Sequence, residues 1–309
     1  MDMQRVLITG GMGQVGSYIA EELSREYEVV VLDNFTSNAI NKLPNEITII
    51  KGDVRDPKIL KLFKDILDLE LDIIIHCAAQ ISVTKSLQNP VYDFKVNAAG
   101  TLNLLNVAKK LNISRFIYFS SAAVYGMPRY LPIDEEHPLN PISPYGASKL
   151  AGEKYCHVFN HVYGLPVVCL RPFNIYSPRQ RAENPYSGVI CRFIDRVKKG
   201  KPPVIEGDGT QTRDFISIHD VVRFVLLAMK KQRAIGEVYN VGTGKPTMIK
   251  ALAAEIIEIV GRKLKPVHAK PREGDIKQSY ADIRKAKALG FKLKVNLSEG
   301  LMELIQNAS

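Results

Sequence analysis

The chain has 309 residues, 46% of them apolar and 24% charged, with a formal net charge of +10. That length can bury a sizeable core in one large domain or two unequal ones, and no apolar run reaches the roughly 20 residues that cross a bilayer. The basic residues come in small groups such as Lys109-Lys110 and Lys198-Lys199, without interleaved aromatics. This is the pattern of solvated helix faces, so neither a nucleic acid nor a membrane is expected as a partner.

Short apolar runs at residues 5–9, 28–32, 47–50, 72–76, 115–120 and 166–170 read as strands. Between them lie amphipathic stretches at 17–26, 57–67, 92–111 and 146–163. This alternation predicts an α/β fold, a doubly wound parallel sheet of the Rossmann type with helices on both faces. After about residue 171 the pattern loosens, with proline, glycine and charge increasing at 177–187 and 199–208. Helices are expected near 189–199, 220–231 and 247–260, with a last one from about Ser298. Ligands of open α/β sheets sit beyond the carboxyl ends of the strands, so the cleft between a large and a smaller lobe is the expected site.

The first strand ends in Thr9-Gly10-Gly11-Met12-Gly13-Gln14-Val15-Gly16. Glycines permit positive φ and close backbone approach, so the following helix can present bare N–H groups to a pyrophosphate. The second strand ends in Asp33, about 20 residues beyond the turn, which is the context such a turn requires. A carboxylate there accepts from the ribose hydroxyls of an adenosine and repels a 2′-phosphate. No arginine follows closely, so NAD is expected rather than NADP. The plainer reading of Asp33 is a loop cap.

Tyr145-Gly146-Ala147-Ser148-Lys149 opens a helix after Pro144. Residues four apart share a helical face, so the Tyr145 phenol and the Lys149 ammonium are expected to point into one cleft. A free phenol is a poor base at neutral pH, with a pKa of about 10. A cation about 4–5 Å away favours the phenolate by roughly two to three pKa units, which is the tuning a general base for hydroxyl oxidation needs. Ser121, in Ser120-Ser121-Ala122-Ala123-Val124-Tyr125-Gly126 at the end of a sheet strand, is placed to hold or relay the proton. A loop cap is the plainer reading of these serines.

At this point the residues resemble the extended short-chain dehydrogenase/reductase superfamily, in its NAD-dependent nucleotide-sugar epimerase/dehydratase branch. The likeness runs over nearly the whole chain. It rests on the glycine turn, Asp33, Gly52-Asp53-Val54-Arg55-Asp56, His76-Cys77-Ala78-Ala79-Gln80, Asn97, the Ser120 and Tyr145 motifs, Arg171-Pro172-Phe173-Asn174, Thr212-Arg213-Asp214-Phe215 and Arg272-Glu273-Gly274-Asp275. The resemblance implies that NAD is held by Gly10, Gly13, Gln14, Val15, Gly16, Asp33, Asn34, Asp53, Val54, Ala78, Ala79, Gln80, Asn97, Tyr145, Lys149 and Phe173. It places Ser121, Tyr145, Asn174, Arg213, Arg272 and Ser279 on the nucleotide sugar, with Tyr145, Lys149 and Ser121 catalytic. Guanidinium forks suit phosphate oxygens. The implied division is an NAD-binding domain over 1–172, with segments about 214–243 returning to it, and a smaller nucleotide-sugar lobe from 173–213 and 244–309. Two departures from the family pattern are Ser177, where a glycine usually precedes the proline, and Gln14, where an aromatic is common.

Members of this branch begin with hydride removal to NAD, and its dehydratases resemble one another in an Asp-Glu pair after the active-site hydroxyl. Here Ala122-Ala123 stands there, and methyl groups perform no acid-base work. A UDP-hexose 4-epimerase is therefore expected, interconverting UDP-glucose and UDP-galactose by reversible hydride transfer from C4 to tightly bound NAD. In resembling epimerases the position of Ser279 gates the C2 substituent, so a small residue implies that UDP-GlcNAc and UDP-GalNAc are accepted too. The alternatives are an oxidoreductase of the same superfamily and a non-catalytic NAD-binding member. The resemblance further implies a homodimer, paired through the helices at 92–111 and 146–163. The scattered cysteines Cys77, Cys156, Cys169 and Cys191 fit a reducing, cytoplasmic setting. His76 reads as a hydrogen-bonded core residue, and the spread of the other histidines suggests no metal.

Overall fold

In the computed structural model, residues 3–36, 42–59, 61, 63, 70–180, 188–271 and 274–307 are described. β1 (Arg5–Thr9), β2 (Glu28–Asp33), β3 (Thr48–Lys51), β4 (Ile73–His76), β5 (Arg115–Phe119) and β6 (Val167–Pro172) lie in one sheet, ordered β3-β2-β1-β4-β5-β6. A seventh strand, Val238–Val241, extends the sheet beyond β6. The pairings among the first six are parallel, with Leu7 opposite Val30 on one side and Ile74 on the other. Strands covered on both faces read as continuous apolar runs. β4 and β5 are wholly buried, whereas the edge strand β3 is mostly exposed.

The order reverses between β1 and β4. Their carboxyl ends, Gly10 and Cys77-Ala78-Ala79, therefore lie side by side at the place where open α/β sheets bind ligands.

The chain divides into two units. The first comprises Met1–Met127, Pro138–Pro172 and Val222–Tyr239. Its core gathers Leu7, Val30, Ile74, Leu104, Phe116, Tyr118 and Cys156. The second comprises Pro128–His137, Phe173–Val221 and Asn240–Ser309. It holds three two-stranded sheets, Asn174–Tyr176 with Phe215–Ser217, Thr212–Arg213 with Thr247–Met248, and Val204–Glu206 with Val267–Ala269. The helices Val189–Lys198, Ile249–Val260 and Leu297–Asn307 pack Phe193, Ile194, Leu252, Ile256 and Leu301 into its core.

Several elements differ from expectation. The stretch at 92–111 is three pieces, not one helix: Pro90–Phe94, a π-helical turn Lys95–Ala99 and Gly100–Lys110. Asn89 and Pro90 start the first piece two residues earlier, with Asn89 accepting from Tyr92 N. The first helix begins at Gln14 rather than Ser17, because Gly13 already acts as its N-cap. Thr247 and Met248 are strand, so that helix begins at Ile249. Much of the expected helix at 57–67 lies outside the described residues. Among the described residues no helix is long and apolar enough to cross a membrane, and no group of three or more His, Cys, Asp and Glu could hold a metal.

Candidate active site

Gly10 leaves β1 with φ +70, and a Cβ there would lie 2.7 Å from the backbone nitrogen of Ala78. Only glycine permits that approach together with that φ. Gly13 N donates to Gly10 O (3.0 Å), and the helix Gln14–Leu23 has no side-chain cap at Gly13. Its first backbone donors are thus left to solvent or an anion. Gln14 Nε2 is buried without a hydrogen-bond partner among the described residues, while Val15 beside it is half-buried.

Asp33 does two things. Its Oδ2 accepts from Met12 N (2.9 Å), tying the glycine turn to β2, and its Oδ1 accepts from Phe35 N (2.7 Å), capping its own loop. Each oxygen keeps a further lone pair. Asn34 donates to Asp53 Oδ2 (3.0 Å). Arg55 grips Asp53 through Nε (2.9 Å) and Nη2 (2.7 Å). The Arg55 hydrogen bond draws the Asp53 carboxyl down to about 2. Val54 is buried against Gly100, and Ala78 and Ala79 are half-buried at the end of β4.

The helix Pro144–Tyr163 starts sharply. Ser143 accepts from Gly146 N (3.1 Å), Pro144 fills the first position, and Gly164 (φ 69) ends the helix. Tyr145 therefore occupies the first turn, where its phenol has Ser121 as a hydrogen-bond partner. Ser121 also accepts from Ala123 N (3.1 Å), so the capping role and the role beside Tyr145 coexist in one hydroxyl.

Lys149 is buried, with 3% of the residue exposed, and its Nζ lies 4.8 Å from the centre of the Tyr118 ring. Burial lowers the ammonium to about 8. The Tyr145 phenol is pushed up by burial, with the Ser121 hydrogen bond acting against this and Asp93 adding to it. The Lys149 ammonium thus sits over the face of the Tyr118 ring.

A buried polar chain joins these parts; His76 was expected as a hydrogen-bonded core residue, whereas Asp93, Thr101 and the role of Ser148 carried no signal in the sequence. His76 Nδ1 meets Thr9 Oγ1 (2.8 Å) and its Nε2 meets Thr101 Oγ1 (3.0 Å). Thr101 donates to Asn97 O (2.5 Å), and Thr9 Oγ1 accepts from Ala78 N (3.3 Å). These directions assign His76 as the neutral ring with hydrogen on Nε2. Asn97 Nδ2 reaches Gln80 O (2.9 Å), Ser148 Oγ (3.1 Å) and Asp93 Oδ1 (3.2 Å), and Asn97 Oδ1 accepts from Gln80 N (2.8 Å). Asp93 also accepts from Ser148 Oγ (2.5 Å) and Gln80 Nε2 (2.7 Å). The π turn sets Asn97 on this chain, as irregular turns at functional sites often do. An aspartate three residues into a short apolar helix carried no signal of it.

In the second unit, Asn174 Nδ2 donates to Asp214 O (3.1 Å), and Phe173 is buried with its N–H on Val241 O (2.9 Å). The Arg213 guanidinium bonds Thr212 O (2.8 Å), Ile276 O (2.6 Å) and Asp275 Oδ1 (2.5 Å). Ser279 is half-buried between two pinned neighbours, since Gln278 bridges to Thr212 and Tyr280 O accepts from Ile133 N (3.0 Å). Asp214, fully buried, gathers Thr243, Gly244 and Ala281 through their backbone N–H groups. Arg272 lies outside the described residues.

The model of the NAD dependent epimerase/dehydratase family matches residues 6–242, and this chain belongs to that family. It is an NAD-dependent enzyme. A Methanocaldococcus jannaschii protein assigned provisionally as a UDP-glucose 4-epimerase is 40% identical over 304 residues, 97% of each chain. The structure of a Thermotoga maritima UDP-glucose 4-epimerase with UDP-glucose superposes with a TM-score of 0.93 at 35% identity, over 98% of each chain. A Methanobrevibacter ruminantium UDP-N-acetylglucosamine 4-epimerase, in complex with UDP-N-acetylmuramic acid, superposes at 0.92 and 35%, over 99% of this chain and 98% of its own.

Proposed function

We propose that this chain interconverts UDP-glucose and UDP-galactose, and also UDP-GlcNAc and UDP-GalNAc, by inverting the sugar at C4. That it is an NAD-dependent nucleotide-sugar 4-epimerase follows from the family and from near-full-length likeness to such enzymes. The choice of sugars is the proposal.

The residues present fit a dinucleotide: the tight turn at Gly10, the uncapped helix at Gly13, the unpartnered Gln14 amide and the spare lone pairs of Asp33. When bound, NAD supplies the acceptor and donor for the C4 hydride. Tyr145 takes the proton of the C4 hydroxyl and returns it on the other face, with Ser121 holding it in transit. Lys149 places positive charge in the same buried region, and Asn174, Arg213 and Arg272 hold the diphosphate.

The observation that carries inversion, and not elimination, is the turn Ala122–Val124 beside Ser121, which brings methyl groups where a second acid would be needed. The carboxylate that does act on Tyr145, Asp93, is fully buried and accepts from Ser148, Gln80 and Asn97. Ser279 supports the wider sugar range, because a small side chain on a backbone pinned at both sides leaves room for an acetamido group.

UDP-galactose, UDP-GalNAc and UDP-glucuronate are to be incubated without added NAD and their C4 epimers resolved by chromatography. Conversion of the first two is expected, with loss of the acetylated sugar alone in Ser279→Tyr. Conversion of UDP-glucuronate only, or net NADH formation, would replace this reading with another sugar or an oxidoreductase.

A homodimer is proposed through one apolar face of the first unit. Tyr155, Val158 and Val162 form a stripe on the helix Pro144–Tyr163, with Leu87, Val91 and Phe94 on neighbouring helices, and all six are exposed. Patches of this kind mark interfaces.

A further inference from the structure

Asp93 is completely buried, and none of its three hydrogen-bond partners carries a charge. A carboxylate so placed is costly. All three partners donate to it, which suits the acceptor-only ionised form. Its bonds converge on three separate segments: Gln80 after β4, Asn97 in the π turn, and Ser148 in the first turns of the helix that carries Tyr145 and Lys149.

Titratable groups face Lys149 from five elements. From the end of β4 come His76 and Cys77, from β5 Tyr118, from its own helix Cys156, from β6 Cys169, and from the helix Pro90–Phe94 Asp93. His76 is neutral, since burial lowers it to about 3. Burial also pushes the Cys77 thiol and the Tyr118 phenol up, and the Cys169 thiol is raised by its hydrogen bond to Cys156 and by burial. Asp93 is the carboxylate among them. It also faces Tyr145, together with Ser121.

Resting on the 4-epimerase reading, we propose that Asp93 is a positioning residue for the reaction: through Ser148 it fixes the turn bearing Tyr145 and Lys149, and its carboxylate is the buried countercharge of the Lys149 ammonium. The two roles separate by mutation. Asp93→Asn keeps the shape and removes the charge. Without that charge Lys149 gives up its proton at lower pH, and Tyr145 ionises at lower pH as well. Both limbs of the pH profile therefore move in the same direction.

The kcat profile of Asp93→Asn on UDP-galactose is expected to shift as a whole towards acid by about half to one pH unit. A structural defect would lower the profile without moving it. Ser148→Ala removes the hydrogen bond and keeps the charge, so kcat should fall roughly tenfold with both limbs in place. A second readout needs no turnover. Lysine carbons are labelled with carbon-13, the Lys149 resonance is assigned with Lys149→Arg, and its titration is followed by NMR. The midpoint should lie near 8 in the unaltered protein and move towards acid in Asp93→Asn.

Unmoved limbs and an unmoved midpoint would overturn the countercharge, and full kcat in Ser148→Ala would overturn the positioning. A midpoint that moves in a protein inert towards every UDP-sugar would uphold the countercharge and sink the 4-epimerase reading instead. Should Asp93→Asn fail to fold, Asp93→Ser removes the charge with less demand for space and is titrated in its place.

Discussion

Glu153 and Arg171 form an ion pair with each side chain 4% exposed, and Arg171 also donates to Tyr125 Oη (2.9 Å). Burial opposes the Arg171 charge, but the bonds to Glu153 and Tyr125 outweigh it and hold the guanidinium above its ordinary value. Glu153→Ala would leave the cation buried without its partner, and a loss of about 3–5 kcal/mol is expected in urea unfolding. Tyr145→Phe should cost roughly 100- to 10,000-fold in kcat at unchanged melting temperature. At this scale the sequence was readable where the backbone leaves one choice, as at Gly10, whose φ of +70 and close approach to Ala78 admit only glycine. It was unreadable where a side chain has several partners within reach. Lys149 shares a helix face with Tyr145, and its flexible stem also carries the ammonium over the Tyr118 ring, a contact no motif announces.

Gly152 shows how an element is fitted to its neighbour. A Cβ there would collide with the Tyr118 phenol, whose Oη donates to Lys149 O (3.1 Å). Gly152→Ala improves helix propensity on an isolated helix, but here it should push Tyr118 aside and disturb the turn of Lys149. A destabilisation of about 1–3 kcal/mol is expected, together with a drop in kcat, whereas Ala151→Gly one position earlier should leave kcat unchanged. Alternating strands and helices made the sheet readable from its period. The π turn at Lys95–Ala99 was not, because one extra residue in a helical stretch barely alters the apolar spacing. The strand Val238–Val241 was equally hidden, because Asn240 interrupts its short apolar run.

For the whole molecule, the exposed stripe at Tyr155, Val158 and Val162 predicts a dimer by light scattering, and Val158→Asp with Val162→Asp should yield a monomer. A monomeric unaltered protein would remove that proposal. Stability should also depend on pH through His76. Above its ordinary value of 6.5, the ring is neutral whether the chain is folded or not. As pH falls from 6.5 towards about 3, the unfolded chain takes up a proton that the native ring refuses. Stability is then lost with a slope of roughly 1.4 kcal/mol per pH unit. Urea midpoints at pH 7, 5.5 and 4.5 (chosen to be about evenly spaced across this window) should show that slope, and it should weaken in His76→Gln.

Lys149 has one more consequence, which concerns reagents rather than substrates. Amine acylation needs an accessible, uncharged nitrogen, and most lysines of this basic chain stand in water, while Lys149 is 3% exposed. Under brief treatment with an acylating agent, the surface lysines should be marked within the first minutes, and Lys149 only as often as the sheet and its covering helix part. Its labelling rate, read by mass spectrometry, is therefore a clock for the opening of this region.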